Sequence, residues 1–117
     1  MAKIKTREIT ITESKGTFAI FKKSGTSKED YDFSGLLALR QLLSNEKARI
    51  LNVIKTQNPK SIYDLSKKLG RGVKSVNDDI KLLERFGLID TLSEKTGKRE
   101  RLKPILTTDE LTIKLQI

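Results

Sequence analysis

The chain has 117 residues, a formal net charge of +9, and no cysteine, histidine or tryptophan. Its length and its 36% apolar content suit one domain with a single modest core. Without cysteine or histidine there are no disulfides, no thiolate zinc sites and no imidazole base, which removes most hydrolase and metalloenzyme mechanisms; no metal and no cofactor is expected.

The basic excess is internal. Residues 34–60 and 61–103 each carry +4, residues 1–33 carry +2, and residues 104–117 are slightly acidic. Charge of this sign points to a polyanionic partner, and its overlap with apolar periodicity points to a folded surface, not a loose arm. The most apolar run, Leu36 to Leu43, is interrupted by Arg40 and Gln41. Neither a secretory signal nor a membrane span is legible, so a soluble cytoplasmic protein without a membrane partner is expected.

Residues 3–12 alternate β-branched and polar side chains, with Ile9 and Ile11 on one face. Thr17 to Phe21 is a second run of β-formers, and the four residues Glu13 to Gly16 between the runs predict a hairpin loop. Ser24 to Asp30 is polar and aperiodic, and reads as a mobile loop. From Ser34 the period lengthens, and Leu36, Leu37, Leu39, Leu42 and Leu43 form an apolar stripe over about two helical turns. Ser44-Asn45-Glu46 offers cap chemistry for a second helix, which runs to Gln57 with Ile50, Leu51 and Ile54 inward and stops at Asn58-Pro59.

Ser61-Ile62-Tyr63-Asp64 has the form of a capping box, and Ile62, Leu65 and Leu69 mark one face of a short helix ending at Gly70. After Arg71-Gly72, Val73, Val76, Ile80 and Leu83 mark the buried face of a helix over 73–86, closed by Gly87. Two helices joined by so short a glycine-containing turn predict a helix-turn-helix. Leu88 to Ser93 and Arg99 to Leu106 read as strands joined by a turn over 94–98. On the second, Arg99, Arg101 and Lys103 share one face, with Leu102 and Leu106 on the other. Leu111, Ile113, Leu115 and Ile117 alternate with polar residues and predict a last strand, for which the N-terminal hairpin is the natural neighbour.

On Ser61 through Gly70, Val76, Leu83 and Gly87-Leu88-Ile89, the chain resembles winged helix-turn-helix transcriptional regulators of the MarR-like superfamily. Within these it is similar to a group of small prokaryotic predicted regulators. Their pattern is met by Leu69-Gly70-Arg71, Lys74, Val76, Asp79-Ile80-Lys81, Leu83-Glu84 and Gly87-Leu88-Ile89. The likeness covers about residues 44–117 and implies a winged helix-turn-helix, while residues 1–33 match no family. With the hairpin read from their alternation, the expected fold is α+β: a winged helix-turn-helix over 34–106 with an N-terminal β-hairpin extension over 1–33 and a C-terminal strand over 107–117, in one compact domain.

The resemblance also implies a recognition helix in the DNA major groove, with the following hairpin as a wing on the backbone or minor groove. Outward positions on that helix are Lys74, Ser75, Asn77, Asp78 and Lys81, with Asn77 suited to an adenine edge and Lys74 to a guanine or a phosphate. Asp78 and Asp79 are awkward beside phosphates. Asp78 suits a cytosine amino group, but local pairing of both carboxylates with Lys74 or Lys81 is the simpler reading. Ser61 and Tyr63 open the preceding helix, where Ser61 reads first as a cap. Lys95, Lys98, Arg99 and Arg101 lie on the wing, and Arg71 completes the candidate DNA-binding set.

No enzyme is expected. Glu13-Ser14-Lys15 resembles a nuclease fragment but has no well-placed partner carboxylate, and Gly70-Arg71-Gly72 lacks the context of a phosphate loop. The expected partner is double-stranded DNA, bound by a homodimer with two-fold symmetry, as a repressor-like regulator. Two alternatives belong to other classes: an antitoxin-type module binding a toxin-like protein, and a non-specific architectural nucleic-acid binder.

Overall fold

The computed structural model describes residues 5–23 and 29–117. Its elements, in chain order, are β1 (Thr6–Ser14), β2 (Thr17–Lys23), β3 (Glu29–Asp32), α1 (Phe33–Leu42), α2 (Asn45–Gln57), α3 (Ile62–Leu69), α4 (Val73–Arg85), β4 (Ile89–Thr96), β5 (Arg99–Leu106) and β6 (Glu110–Gln116). The fold is α+β. Four strands form a mixed sheet in the order β3-β2-β1-β6, and β4-β5 is a separate antiparallel pair.

The C-terminal strand joins the N-terminal hairpin as its alternation suggested. It does so parallel to β1, in an unbroken register from Thr6↔Glu110 to Thr12↔Gln116. Ion contact between Lys114 and Glu8 at 3.7 Å spans the two strands. The β1–β2 connection is tighter than the expected four-residue loop. Ser14 pairs with Thr17, leaving Lys15-Gly16 with φ of 52° and 82°. Two positive-φ residues match the right-handed twist of a hairpin, and Glu13 accepts a hydrogen bond from the Gly16 N–H at 3.0 Å. The loop expected over 24–30 is corrected at its end, where Glu29 and Asp30 pair with β2. Their charge hid the strand. Ser24 to Lys28, and residues 3 and 4 of the first predicted strand, lie outside the described residues.

Two of the helices, α2 and α3, start at a side-chain cap. Ser44 caps α2 by accepting from the Lys47 N–H, and Asn58 ends that helix in the left-handed region ahead of the buried Pro59. Ser61 caps α3 by accepting from the Asp64 N–H at 3.0 Å. The reciprocal half of the box is displaced by one residue, because the Asp64 carboxylate accepts from the Lys60 N–H at 2.9 Å and not from Ser61. Gly70, at φ 69°, closes α3 by donating to Lys67 O. The N-cap of α4 is Gly72, whose lack of a side chain leaves the first N–H groups without a side-chain cap.

Among the described residues one core joins the four helices to both sheets. Leu39 and Leu42 of α1, Ile50, Val53 and Ile54 of α2, Ile62, Leu65 and Leu69 of α3, and Val76, Ile80 and Leu83 of α4 pack with Ile20, Leu88 and Ile89. Ile9, Ile11 and Leu111 bring the face of the mixed sheet against it. Three sequence expectations are corrected here. Leu37 and Leu43 face outward, so the stripe on α1 narrows to Ala38, Leu39 and Leu42 with Leu36 half-buried. Val53, not Leu51, is fully inward on α2. Val73, assigned by spacing to the core, is exposed, because the first turn of α4 projects past the layer that buries Val76.

Candidate nucleic-acid interface

Three elements converge on one open groove of about 1040 Å³. Ser61, Ile62 and Tyr63 come from the start of α3, Val73, Lys74 and Asn77 from the first turns of α4, and Arg99 to Leu102 from β5. The β4–β5 pair is longer than expected, extending to Thr96↔Arg99 across a two-residue Gly97-Lys98 turn. The extension carries Leu102 beyond the core. On its face of β5, Pro104 is fully buried, whereas Leu102 is 45% exposed and lines the groove. Arg101 and Lys103, expected on an open basic face, are half-buried, and the Arg101 Nε is sealed from solvent without a hydrogen-bond partner.

The groove has an apolar floor and a basic rim. Tyr63, Val73 and Leu102 are exposed hydrophobics around it, with Lys74, Arg99 and Arg101 among the same lining residues. Lys67 adds to this rim, its ammonium lying 4.8 Å from the Tyr63 ring centroid, a cation–π distance. Glu100 is the acidic member, and its carboxylate accepts a hydrogen bond from Ser93 Oγ across the hairpin. Lys81 is exposed two turns along α4 from Lys74, and Lys95 and Lys98 are exposed at the hairpin end. Spacing alone assigned Val73 and Leu102 inward and did not single out Lys67. For Val73 and Leu102 the signal was an apolar residue at the outer end of a core stripe.

Arg71 is turned away from the groove. Its guanidinium contacts Asp79 at 2.8 Å and Glu46 at 3.9 Å, and it donates to Ser75 Oγ at 2.6 Å. Asp79 also meets Lys47 of α2 at 3.1 Å. Asp79 is therefore a two-sided bracket tying α4 to α2 and to the α3–α4 turn, with its side chain only 13% exposed. The expected local pairing with Lys74 or Lys81 is thus replaced by pairing with Arg71 and Lys47. Asp78, one residue away, is exposed and makes no ion pair among the described residues. Adjacent carboxylates on a helix point about 100° apart, which separates their roles.

The titration of Asp64 is shifted. The backbone N–H of Lys60 outweighs desolvation and holds its carboxyl below the usual carboxylate range, with Lys68 at 3.7 Å acting in the same lowering direction. Among the described residues no cluster of carboxylates is placed to hold a metal ion, and no helix is long and apolar enough to cross a membrane.

Residues 42–113, more than half of the chain, match the protein family described as HVO_A0114, and the chain belongs to that family. The match runs from the end of α1 into β6 and leaves out β1, β2 and β3. No curated protein matches the chain.

Proposed function

We propose that this member of the HVO_A0114 family is a sequence-specific double-stranded DNA-binding regulator built as a winged helix-turn-helix. In this reading α3 and α4 are the helix pair, α4 is the recognition helix, and β4–β5 is the wing. The observation that carries it is the groove itself. The first turns of α4 and the basic strand of the hairpin border one open surface, with Lys74, Asn77, Arg99 and Arg101 on it. A helix flanked by a basic ribbon fits a duplex: the helix is narrow enough for the major groove, and the ribbon reaches the phosphates alongside.

Roles follow from chemistry. Asn77 and Lys74 are the base readers, Asn77 through a bidentate amide and Lys74 through its ammonium. Lys81, Lys95, Lys98 and Arg99 neutralise phosphates and set register. Ser75 and Arg71 act by holding the α4 start, since each is the other's hydrogen-bond partner. Val73, Tyr63 and Leu102 offer apolar contact of the kind that suits a thymine methyl group. The exposed, unpaired Asp78 disfavours wrong contacts by repelling phosphate. A half-site read by one helix is small, so a two-fold dimer on a palindromic site is part of the reading.

Selection of bound sequences from a random duplex pool tests this. The reading requires an enriched motif. Unbiased recovery would replace it with architectural binding, and no recovery would replace it with a protein-binding module of the antitoxin type.

A further inference from the structure

We propose that the free edge of β6 pairs with the same edge of a second copy of the chain, antiparallel about a two-fold axis through Thr112. β6 is the outer strand of the mixed sheet. It carries no proline and no bulge, its register with β1 being continuous over seven pairs. Sheet edges that stay single are usually shortened, bulged or charged, and this one is long and regular. The Glu110 N–H bonds to Lys5 O, so alternation turns the backbone groups of Glu110, Thr112 and Lys114 towards β1 and those of Leu111, Ile113 and Leu115 outward.

The side chains favour the same partner. Leu111, Ile113 and Leu115 share the face of Ile9 and Ile11, and only the first of the three reaches the core. Ile113 and Leu115 are 39% and 53% exposed. Beside them runs a groove of about 560 Å³ whose lining includes Leu43, Leu51 and Leu106. A two-fold axis perpendicular to the sheet keeps each face on its own side, so a second β6 lays its own Leu111 and Ile113 next to this row.

Charge selects the register. With Thr112 opposite its symmetry mate, Leu111 faces Ile113 and Glu110 faces Lys114, twice over. Lys114 then lies between Glu8 of its own chain and Glu110 of the other. Centring on Ile113 instead sets Lys114 against Thr112 and loses both ion pairs, and a one-residue slip would put polar residues against the apolar row. The dimer also places both α3–α4 pairs on the same side of the joined sheet. Its use rests on the DNA reading above, but its existence does not.

The test is made without DNA. Thr112 would form a non-hydrogen-bonded pair with itself, at a Cα separation of about 4.5 Å that a disulfide can bridge. The chain has no cysteine, so Thr112→Cys supplies the one thiol. Mild oxidation should convert it to a covalent dimer, while Lys98→Cys in the hairpin turn stays uncrosslinked. Sedimentation of the unmodified chain should show a dimer at micromolar concentration. Lys114→Glu should weaken that dimer about tenfold, and Glu110→Lys with Lys114→Glu should restore it. A monomeric wild-type chain overturns the proposal, as does crosslinking no faster at 112 than at 98, or a dimer indifferent to Lys114→Glu. Any of these leaves duplex binding to be judged by its own assay.

Discussion

Asp79 and Asp78 are neighbours with opposite employment. Asp79 faces two cations at 2.8 and 3.1 Å in a nearly dry setting, so its removal strands both Arg71 and Lys47. Asp79→Ala should therefore cost about 1–3 kcal/mol in urea unfolding, whereas Asp78→Ala should stay within about 0.5 kcal/mol. Equal costs would refute the bracket. Asp64 makes a separate, pH-dependent claim. A carboxyl held below its ordinary value contributes stability that is full above that value and is lost as the pH falls through the lowered one. Asp64→Asn should thus melt below the wild type at pH 7, and the gap should close below about pH 4. A gap that persists unchanged in acid would contradict this account of Asp64.

The C-terminal end of α4 is where that helix meets both sheets. Thr107 Oγ1 and Thr108 Oγ1 donate to Gly87 O at 3.0 and 2.6 Å, and Arg7 Nε of β1 donates to Phe86 O at 3.3 Å. A cation and two hydroxyls thus satisfy carbonyls at the negative end of a helix. Gly87 has φ 73°, and a Cβ there would run into the Arg7 guanidinium. Gly70 has φ 69° and open space around it. Gly87→Ala should accordingly destabilise more than Gly70→Ala, each by about 1–2 kcal/mol, with only the former weakened in its difference by Arg7→Ala. Thermal melts of the wild type, the three single variants and the two double variants decide it.

The last three helices were legible because their starts and stops are written locally: Ser44 and Asn58, Ser61 and Gly70, Gly72 and Gly87. β6 was equally legible from its strict alternation. β3 was not, since its Glu-Asp-Tyr-Asp sequence is a strand only by pairing with β2, a tertiary effect without local signal. The Arg71–Asp79–Lys47 cluster was invisible for the same reason, its members coming from α2, α4 and the turn between α3 and α4. The basic groove was half legible. Its charged residues follow from helix and strand period, but Val73 and Leu102 were assigned inward because periodicity gives a direction and not how far the core extends.

At the scale of the whole molecule, one small core joins the four helices to both sheets, and it leaves little stability in reserve. Leu65, Ile80 and Leu83 are fully buried, and truncating Leu83 to alanine should cost about 2–5 kcal/mol, enough to threaten folding of a domain this size. The net charge of +9 is then a property of the surface this core displays. On α4 and the hairpin it borders the open groove proposed to take a duplex, while β6, the outer strand of the mixed sheet, is the edge proposed for a second copy. Duplex affinity measured by fluorescence anisotropy across a salt series, for the wild type and for Lys74→Glu/Lys81→Glu, tests the central claim. The account predicts a log–log slope of about −0.9 per phosphate neutralised, and loss of binding in the folded double variant. A flat slope, or a double variant that binds like the wild type, would contradict it.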